Sequence, residues 1–319
     1  MTNQPIVSII IPVWNGAAVL PEALRSLQAQ TFGDFEALIL DDGSSDDSVA
    51  IVREFSRHDP RFIPVSRAHS GLPVTRNFGI RQARGEFIAF LDHDDVWLPE
   101  KLQRQMELFQ THPRANFSFT NFFYWDGVRD LYAFYPSHRP LPEGNAARQL
   151  VFACVFGMSS IVVKRQFLFQ TGLFREEVDY CEDWDLWLRM AEAGLQAIGV
   201  REPLMRYRRW PGNMSRHTLK MALGNLSVLQ HNLQISRRPE LAPFYRRSIN
   251  IARARLELIH ARQLLDSAPE KIPAALWRAW QLNPKDARWL LRIPLVAWPK
   301  FLGGKTLARG VHRKLIEKY

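Results

Sequence analysis

Two rhythms of apolar and polar positions share the first hundred residues. Unbroken apolar runs at Val7–Val13, Phe35–Leu40, Phe62–Val65 and Phe87–Leu91 have the length of buried strands. Between them apolar residues recur at helical spacing, Leu20, Leu24 and Leu27, then Val49, Val52 and Phe55, and the stretch 72–84 also looks helical. Pro21 suits the first turn of the first helix, and Pro99 opens another that carries Leu102, Met106 and Phe109. Strands that are apolar throughout and alternate with helices predict a parallel sheet covered on both faces.

The pattern loosens after residue 115. Phe117–Tyr124 reads as an aromatic strand, 126–148 as a long loop, and Ser159–Val163 as a further strand. From Glu182 onward, Trp184, Trp187, Leu188 and Ala191 follow the spacing of an amphipathic helix. Past residue 215 the strand signals fade. Helices are expected near 217–236, 242–266, 272–281 and 285–292, with breaks at Pro239, Pro269, Pro284, Pro294 and Pro299. An α/β part over 1–215 followed by a helical region over 216–319 is the expected organisation.

Composition adds a polarity to this division. Residues 1–215 carry 22 Lys and Arg against 26 Asp and Glu, whereas residues 216–319 carry 20 against 6. The overall charge of +10 therefore belongs to the helical region alone. Such a region suits an anionic partner, a membrane face or nucleic acid, or is simply an arginine-rich solvated surface. At 285–319, Trp289, Trp298 and Phe301 lie among Arg288, Arg292, Lys300 and Lys305, the composition of interfacial segments. The alternative for this tail is a helical hairpin packed on the rest of the chain. Two cysteines, Cys154 and Cys181, give neither a disulfide framework nor a thiolate zinc site. With no signal peptide or membrane span in the sequence, a cytoplasmic location is expected; the tail allows a position at the inner membrane face.

Three acidic groups stand at element boundaries. Asp41-Asp42-Gly43-Ser44-Ser45-Asp46 follows the second strand and also fits a strand-to-helix turn with Ser45 or Asp46 as cap. Glu182-Asp183-Trp184-Asp185 opens a helix, where the dipole favours acids in any case. Asp92-His93-Asp94-Asp95 closes the fourth strand with no neutralising neighbour in sequence. Carboxylates packed so closely need a partner, and a hard divalent cation is the simplest one. His93 within this group can bind metal, donate to a phosphate or face solvent.

These groups have an order: strand–DDGSxD, then Arg76-Asn77-Phe78-Gly79, then strand–DxDD, then EDWDLW. Pro12-Val13-Trp14-Asn15, Gln30-Thr31-Phe32 and Leu98-Pro99-Glu100-Lys101-Leu102 accompany it. Over roughly residues 5–215 the chain resembles glycosyltransferase family 2, the inverting transferases. The resemblance implies an α/β fold with a Rossmann-like, mostly parallel sheet, the A-type transferase fold. A nucleotide-binding half at 1–110, an acceptor half at 111–215 and the helical C-terminal region would follow. It also implies site residues. Pro12, Val13, Asn15, Asp42, Arg76 and Asp92 would bind the nucleotide, and Asp94 with Asp92 would hold Mn²⁺ or Mg²⁺. Asp183 would be the general base, and Glu182, Arg208 and Trp184 would contact the diphosphate or the acceptor. The donor would be a nucleotide-sugar, with a UDP-sugar favoured, and the acceptor a glycan or lipid-linked sugar in cell-surface polysaccharide or glycolipid synthesis.

One base suffices for such a reaction. Hydrolysis of an unactivated glycoside needs a second carboxyl group to protonate the leaving oxygen. A nucleotide diphosphate already leaves well. Tyr132, Phe134, Tyr135, His138 and Arg139 in the 126–148 stretch are candidate acceptor or lid residues. A nucleotidyltransferase would need an early glycine-rich phosphate loop, and Pro12–Ala18 has only Gly16. A non-catalytic nucleotide or glycan binder would be expected to lose the base or the metal ligands, and both are retained. Nucleic acid is not an expected partner, because the motif-bearing part is acidic and carries no recognition module.

Overall fold

The computed structural model describes residues 4–284. The chain divides into two compact units, one ending at Asn213 and one beginning at Met214. The tail 285–319, with the helix expected at 285–292, lies outside the described residues.

The first unit opens with β1 (Val7–Val13), α1 (Leu20–Gln28), β2 (Phe35–Asp41), α2 (Ser48–His58), β3 (Phe62–Ser66), α3 (Leu72–Gln82) and β4 (Phe87–Phe90). It continues through β5 (Val96–Trp97), α4 (Lys101–Thr111), β6 (Phe117–Trp125), β7 (Asp130–Ala133) and α5 (Ala147–Phe152). It ends with β8 (Ile161–Lys164), α6 (Arg165–Thr171), α7 (Glu182–Glu192) and β9 (Ala197–Arg208). The nine strands among the described residues join one sheet in the order β3-β2-β1-β4-β8-β6-β9-β5, with β7 added on β6. This is the expected Rossmann-like α/β fold. Its parallel pairings are β3-β2-β1-β4 and β6-β9, while β8, β7 and β5 run antiparallel to their neighbours, so the sheet as a whole is mixed.

The register places the acidic ends of β2 and β4 along one edge, on either side of the end of β1. Val13 pairs with Asp41, and Ile10 with Phe90. The loops after β1, β2 and β4 therefore leave the sheet side by side, at the carboxyl ends where open α/β sheets bind ligands. Beneath them, Ile9, Ile11, Leu24, Leu27, Ile39 and Leu102 form part of one fully buried cluster. A second aromatic core lies around Phe117, Phe119, Phe156 and Trp187, with ring centroids 4.8–6.5 Å apart.

Several elements depart from the sequence expectation. The stretch 126–148 is not one loop: it contains β7 and reaches the start of α5. β7 gives no strand signal because Asp130, Leu131 and Tyr132 are all exposed and no buried face alternates with them. β9 is twelve residues long, yet Arg201, Glu202, Arg206 and Arg208 interrupt its apolar positions. β5 has only two residues, too few for any periodicity. In the second unit, α8 (Thr218–Ile235), α9 (Ala242–Ser267) and α10 (Ile272–Leu282) occupy the expected helical stretches. Ala261 of α9 packs there with Ile272, Ala275 and Leu276 of α10. No helix among the described residues is long and apolar enough to cross a membrane.

Candidate active site

Asp42 organises the first loop. Its carboxylate accepts the Ser70 N–H at 3.0 Å and hydroxyl at 2.9 Å, the Gly71 N–H at 3.0 Å and the Thr75 hydroxyl at 2.8 Å. His69 Nδ1 lies 2.9 Å from Oδ2, the oxygen that also accepts the Gly71 N–H. Gly71 stands at φ 90° and ψ 160°, a conformation only glycine adopts readily, and this turns its N–H onto Asp42 as α3 begins. Thr75 thereby ties α3 to the loop. Above it, the exposed indole of Trp14 stacks on the His69 ring with centroids 4.9 Å apart. Asn15, at φ 50°, accepts the Ser45 N–H at 2.8 Å and so ties the β1 loop to the β2 loop. Pro12 and Val13 are buried at the end of β1, where the Val13 carbonyl accepts the Asp42 N–H at 2.8 Å.

Arg76 is the hub of the site. It is 2% exposed and projects from α3 between two acidic groups that are far apart in sequence. Its guanidinium donates to Asp92 at 2.6 Å and to Glu182 at 2.5 Å. Burial opposes its charge, but Asp92 and Glu182 more than compensate, so its pKa rises and it stays a cation. The next residue, Asn77, donates to the Phe174 carbonyl at 2.9 Å and accepts the Phe174 N–H at 3.0 Å, which holds the approach to α7. Together the Arg-Asn pair brings the β4 carboxylates and the α7 N-terminus to one place.

The DxDD turn is not a single cluster. Asp92 faces Arg76, and its own N–H donates to Ser159 Oγ at 3.0 Å. Asp94 Oδ2 accepts Trp210 Nε1 at 2.9 Å and Asn213 Nδ2 at 3.1 Å. Asp95 is buried and accepts the Arg208 N–H at 3.0 Å. Burial raises the pKa of Asp94, and Asp92 adds to this, against His93 and the Trp210 bond. Asp95 is pushed well above the usual carboxylate range by burial and by Asp94 and Asp92. His93 does not point freely into solvent: it is half-buried, with Nδ1 3.3 Å from the Pro12 carbonyl. Its ring lies so close to Gly16 that a Cβ there would come within 2.5 Å of Cδ2.

Arg208 supports this turn from below rather than standing open. Its Nη2 donates to Glu22 at 2.7 Å, its Nε to the Asp94 carbonyl at 2.9 Å, and its guanidinium lies 4.2 Å from the Trp125 ring centroid. Trp184 is likewise committed, donating from Nε1 to the Leu150 carbonyl at 2.6 Å.

Asp183 stands in the first turn of α7, half-buried beside Glu182. One oxygen accepts the Trp184 N–H at 2.7 Å, and the other faces the Cys154 thiol at 3.7 Å. Burial raises its pKa, while Arg76 and the Trp184 N–H hold it down. Glu182 is pushed up to about 7, again by burial against Arg76. Asp185, the third acid of the motif, faces away and pairs with Arg189 at 2.9 Å and Arg175 at 3.5 Å. Burial and the neighbouring Asp183 keep the Cys154 thiol protonated. Sequence reasoning missed Cys154, Ser159, Trp210 and Asn213, none of which carries a local pattern.

Among the described residues no group of three or more His, Cys, Asp or Glu side chains converges to hold a metal ion. Asp92 and Asp94 are committed to different partners. Asp94 is the carboxylate of the turn whose bonding pattern bears on a cation. Both its side-chain bonds fall on Oδ2. Mg²⁺ or Mn²⁺ typically takes one or two carboxylates and completes its shell with water and substrate phosphates.

Comparison with known proteins bears on the family and the fold. Residues 8–164 match the profile of Glycosyl transferase family 2. A protein of Bacillus subtilis named for teichuronic acid biosynthesis, the glycosyltransferase TuaG, is 30% identical over 227 residues, 70% of this chain and 86% of its own length. The chain belongs to glycosyl transferase family 2. An uncharacterized glycosyltransferase of Rickettsia conorii is 30% identical over 244 residues, of whose length the chain spans only 39%. Among solved structures, Staphylococcus aureus TarS 1–349 in complex with UDP-GlcNAc superimposes with a TM-score of 0.64 at 16% identity, over 98% of this chain and 91% of that one. A Pyrobaculum calidifontis mannosyltransferase, PcManGT, in complex with GDP-Man and Mn²⁺, gives 0.59 at 19% identity, over 100% and 89%. These likenesses establish a shared fold.

Proposed function

We propose that this protein transfers a sugar from a nucleotide-sugar to an acceptor hydroxyl in one inverting displacement assisted by Mn²⁺ or Mg²⁺. The observation that carries this reading is the Arg76 bridge, 2.6 Å to Asp92 and 2.5 Å to Glu182, which sets the strand-end carboxylates beside Asp183. The loops around Trp14, Asn15 and Asp42 would take the nucleotide base, with Pro12 and Val13 as their floor. Asp94, with Asp92 alongside, would hold the cation together with the diphosphate. When bound, the cation supplies charge neutralisation to the departing diphosphate.

Asp183 would take the proton from the acceptor hydroxyl as its oxygen attacks the anomeric carbon. The bond to the diphosphate breaks on the opposite face, and the configuration inverts. Burial raises the pKa of this base while Arg76 opposes the rise, and a base shifted toward neutrality suits proton transfer. UDP-sugars are the favoured donors, as TarS was solved with UDP-GlcNAc. A role in cell-surface polysaccharide or glycolipid synthesis follows the name of its Bacillus relative. The basic tail would bring the site to an anionic membrane face and a lipid-linked acceptor.

A thermal-shift panel of nucleotide-sugars with and without Mn²⁺ tests the reading, because a ligand that binds only the folded state raises apparent stability. One UDP-sugar should stabilise the protein only when the cation is present. Asp183→Asn should keep that shift and lose transfer by about 10²–10⁴-fold, the usual share of general-base catalysis. Full turnover by Asp183→Asn would remove the base assignment.

A further inference from the structure

We propose that the rim built by Tyr124, Tyr132 and Arg209 receives an acceptor sugar that carries an acidic group. The inference rests on the transferase reading and specifies its acceptor.

β6 and β7 present a continuous aromatic wall. Tyr124 and Tyr132 have ring centroids 4.9 Å apart, Phe122 and Phe134 stack at 4.6 Å and 11°, and Phe134 meets Tyr135 at 4.7 Å. This wall reaches the reaction centre. The Tyr135 hydroxyl donates to the Val155 carbonyl, next to Cys154, whose thiol lies 3.7 Å from Asp183. Its outer end is open: Tyr132 is 54% exposed. A half-exposed ring gives a sugar an apolar face to lie on.

The cations beside the wall are not equivalent. Arg206 is neutralised by Asp130 of β7 through two bonds of 2.8 and 3.1 Å. Arg208 is buried on Glu22. Arg209 is exposed and pairs with no carboxylate among the described residues. Its Nη1 donates to the Tyr132 hydroxyl at 3.0 Å, and its guanidinium lies 5.5 Å from the Tyr124 ring centroid. A tyrosine hydroxyl and a ring face thus hold an uncompensated guanidinium at the edge of a sugar-sized platform. A planar guanidinium so placed matches a carboxylate or a phosphate. Both are acidic groups that sugars carry, and the geometry recognises what they share.

The test uses the full chain with UDP and Mn²⁺ present and reads binding by saturation-transfer NMR. Three probes differ in one substituent: a disaccharide ending in glucose, the same ending in glucuronic acid, and the same ending in glucose 6-phosphate. At least one acidic probe should bind about tenfold more tightly than the neutral one, a modest return for one charge-assisted contact. That preference should shrink in 0.5 M salt (about a 4 Å screening length). In Arg209→Ala the ratio should fall to about one, and Arg209→Lys should restore part of it. The tighter of the two acidic probes assigns carboxylate or phosphate. Equal binding of all three, binding of none, or a preference that survives Arg209→Ala would overturn the proposal. The separate nucleotide-sugar thermal shift distinguishes the failures. If no nucleotide-sugar stabilises the chain, the transferase reading falls; if one does and the acid preference is absent, only this inference falls.

Discussion

Glu182 makes two demands that conflict. It is buried, which favours the neutral acid, and it touches Arg76 at 2.5 Å, which favours the carboxylate. Burial wins, and its pKa moves from an ordinary 4.5 to about 7. The folded protein thus binds a proton that the unfolded chain has released. The resulting stabilisation is complete below pH 4.5 and is lost as pH rises through 7. Asp94, Asp95 and Asp183 are raised mainly by burial and act in the same direction. Without divalent cation, thermal stability should therefore decline from pH 5 to pH 8, and Glu182→Gln should flatten the lower part of that decline. Melting curves across this interval, with and without Mn²⁺, provide the check. A rise in stability over the same interval would mean that Arg76 outweighs burial. Added Mn²⁺ should reduce the decline, because a cation at Asp94 binds the ionised form that high pH provides.

At the scale of elements, the site depends on close approach between loops. The β1–α1 loop and the DxDD turn meet where the His93 ring lies against Gly16. A methyl group on Gly16 would sit 2.5 Å from His93 Cδ2, so the ring must move and give up the Pro12 carbonyl. Gly16→Ala should weaken nucleotide binding because the turn carrying Asp92 and Asp94 shifts with the ring. In a His93→Ala background the same substitution should cost much less. The two changes touch one contact and are expected to couple by about 0.5–3 kcal/mol in a double-mutant cycle. Simple additivity, measured by nucleotide titration, would show that the contact has no influence on the turn. This pairing also marks where sequence reasoning stops. Strands β1, β2, β4 and helices α1 and α2 were legible because each packs an uninterrupted apolar run or stripe against the core. The acidic groups were legible because they end those elements. The partners of Asp94 were not: Trp210 and Asn213 follow β9, a strand whose arginines hide its periodicity. The placement of His93 was equally hidden, since it depends on a missing Cβ 77 positions earlier.

Over the whole molecule, chemistry and charge are separated along the chain. Every residue of the candidate site lies before residue 214, in the part with more acids than bases. The net positive charge lies after it. Within that region, residues 285–319 contain nine Lys and Arg against two Asp and Glu, together with Trp289, Trp298 and Phe301. An enzyme whose acceptor is lipid-linked gains by residing where that acceptor is, because its substrate is then concentrated in two dimensions. A basic residue near an anionic leaflet contributes about 1 kcal/mol within a Debye length of the surface, and indole rings add interfacial affinity. The full chain should therefore sediment with liposomes containing phosphatidylserine at 50 mM salt and remain in solution with phosphatidylcholine alone. Raising the salt to 0.5 M should release most of it, since screening then acts over about 4 Å. A chain ending at Pro284 retains all the described helices and should stay in the supernatant under each condition. If it sediments as well as the full chain, the charge of the preceding helices is responsible; if neither sediments, the basic tail has another purpose.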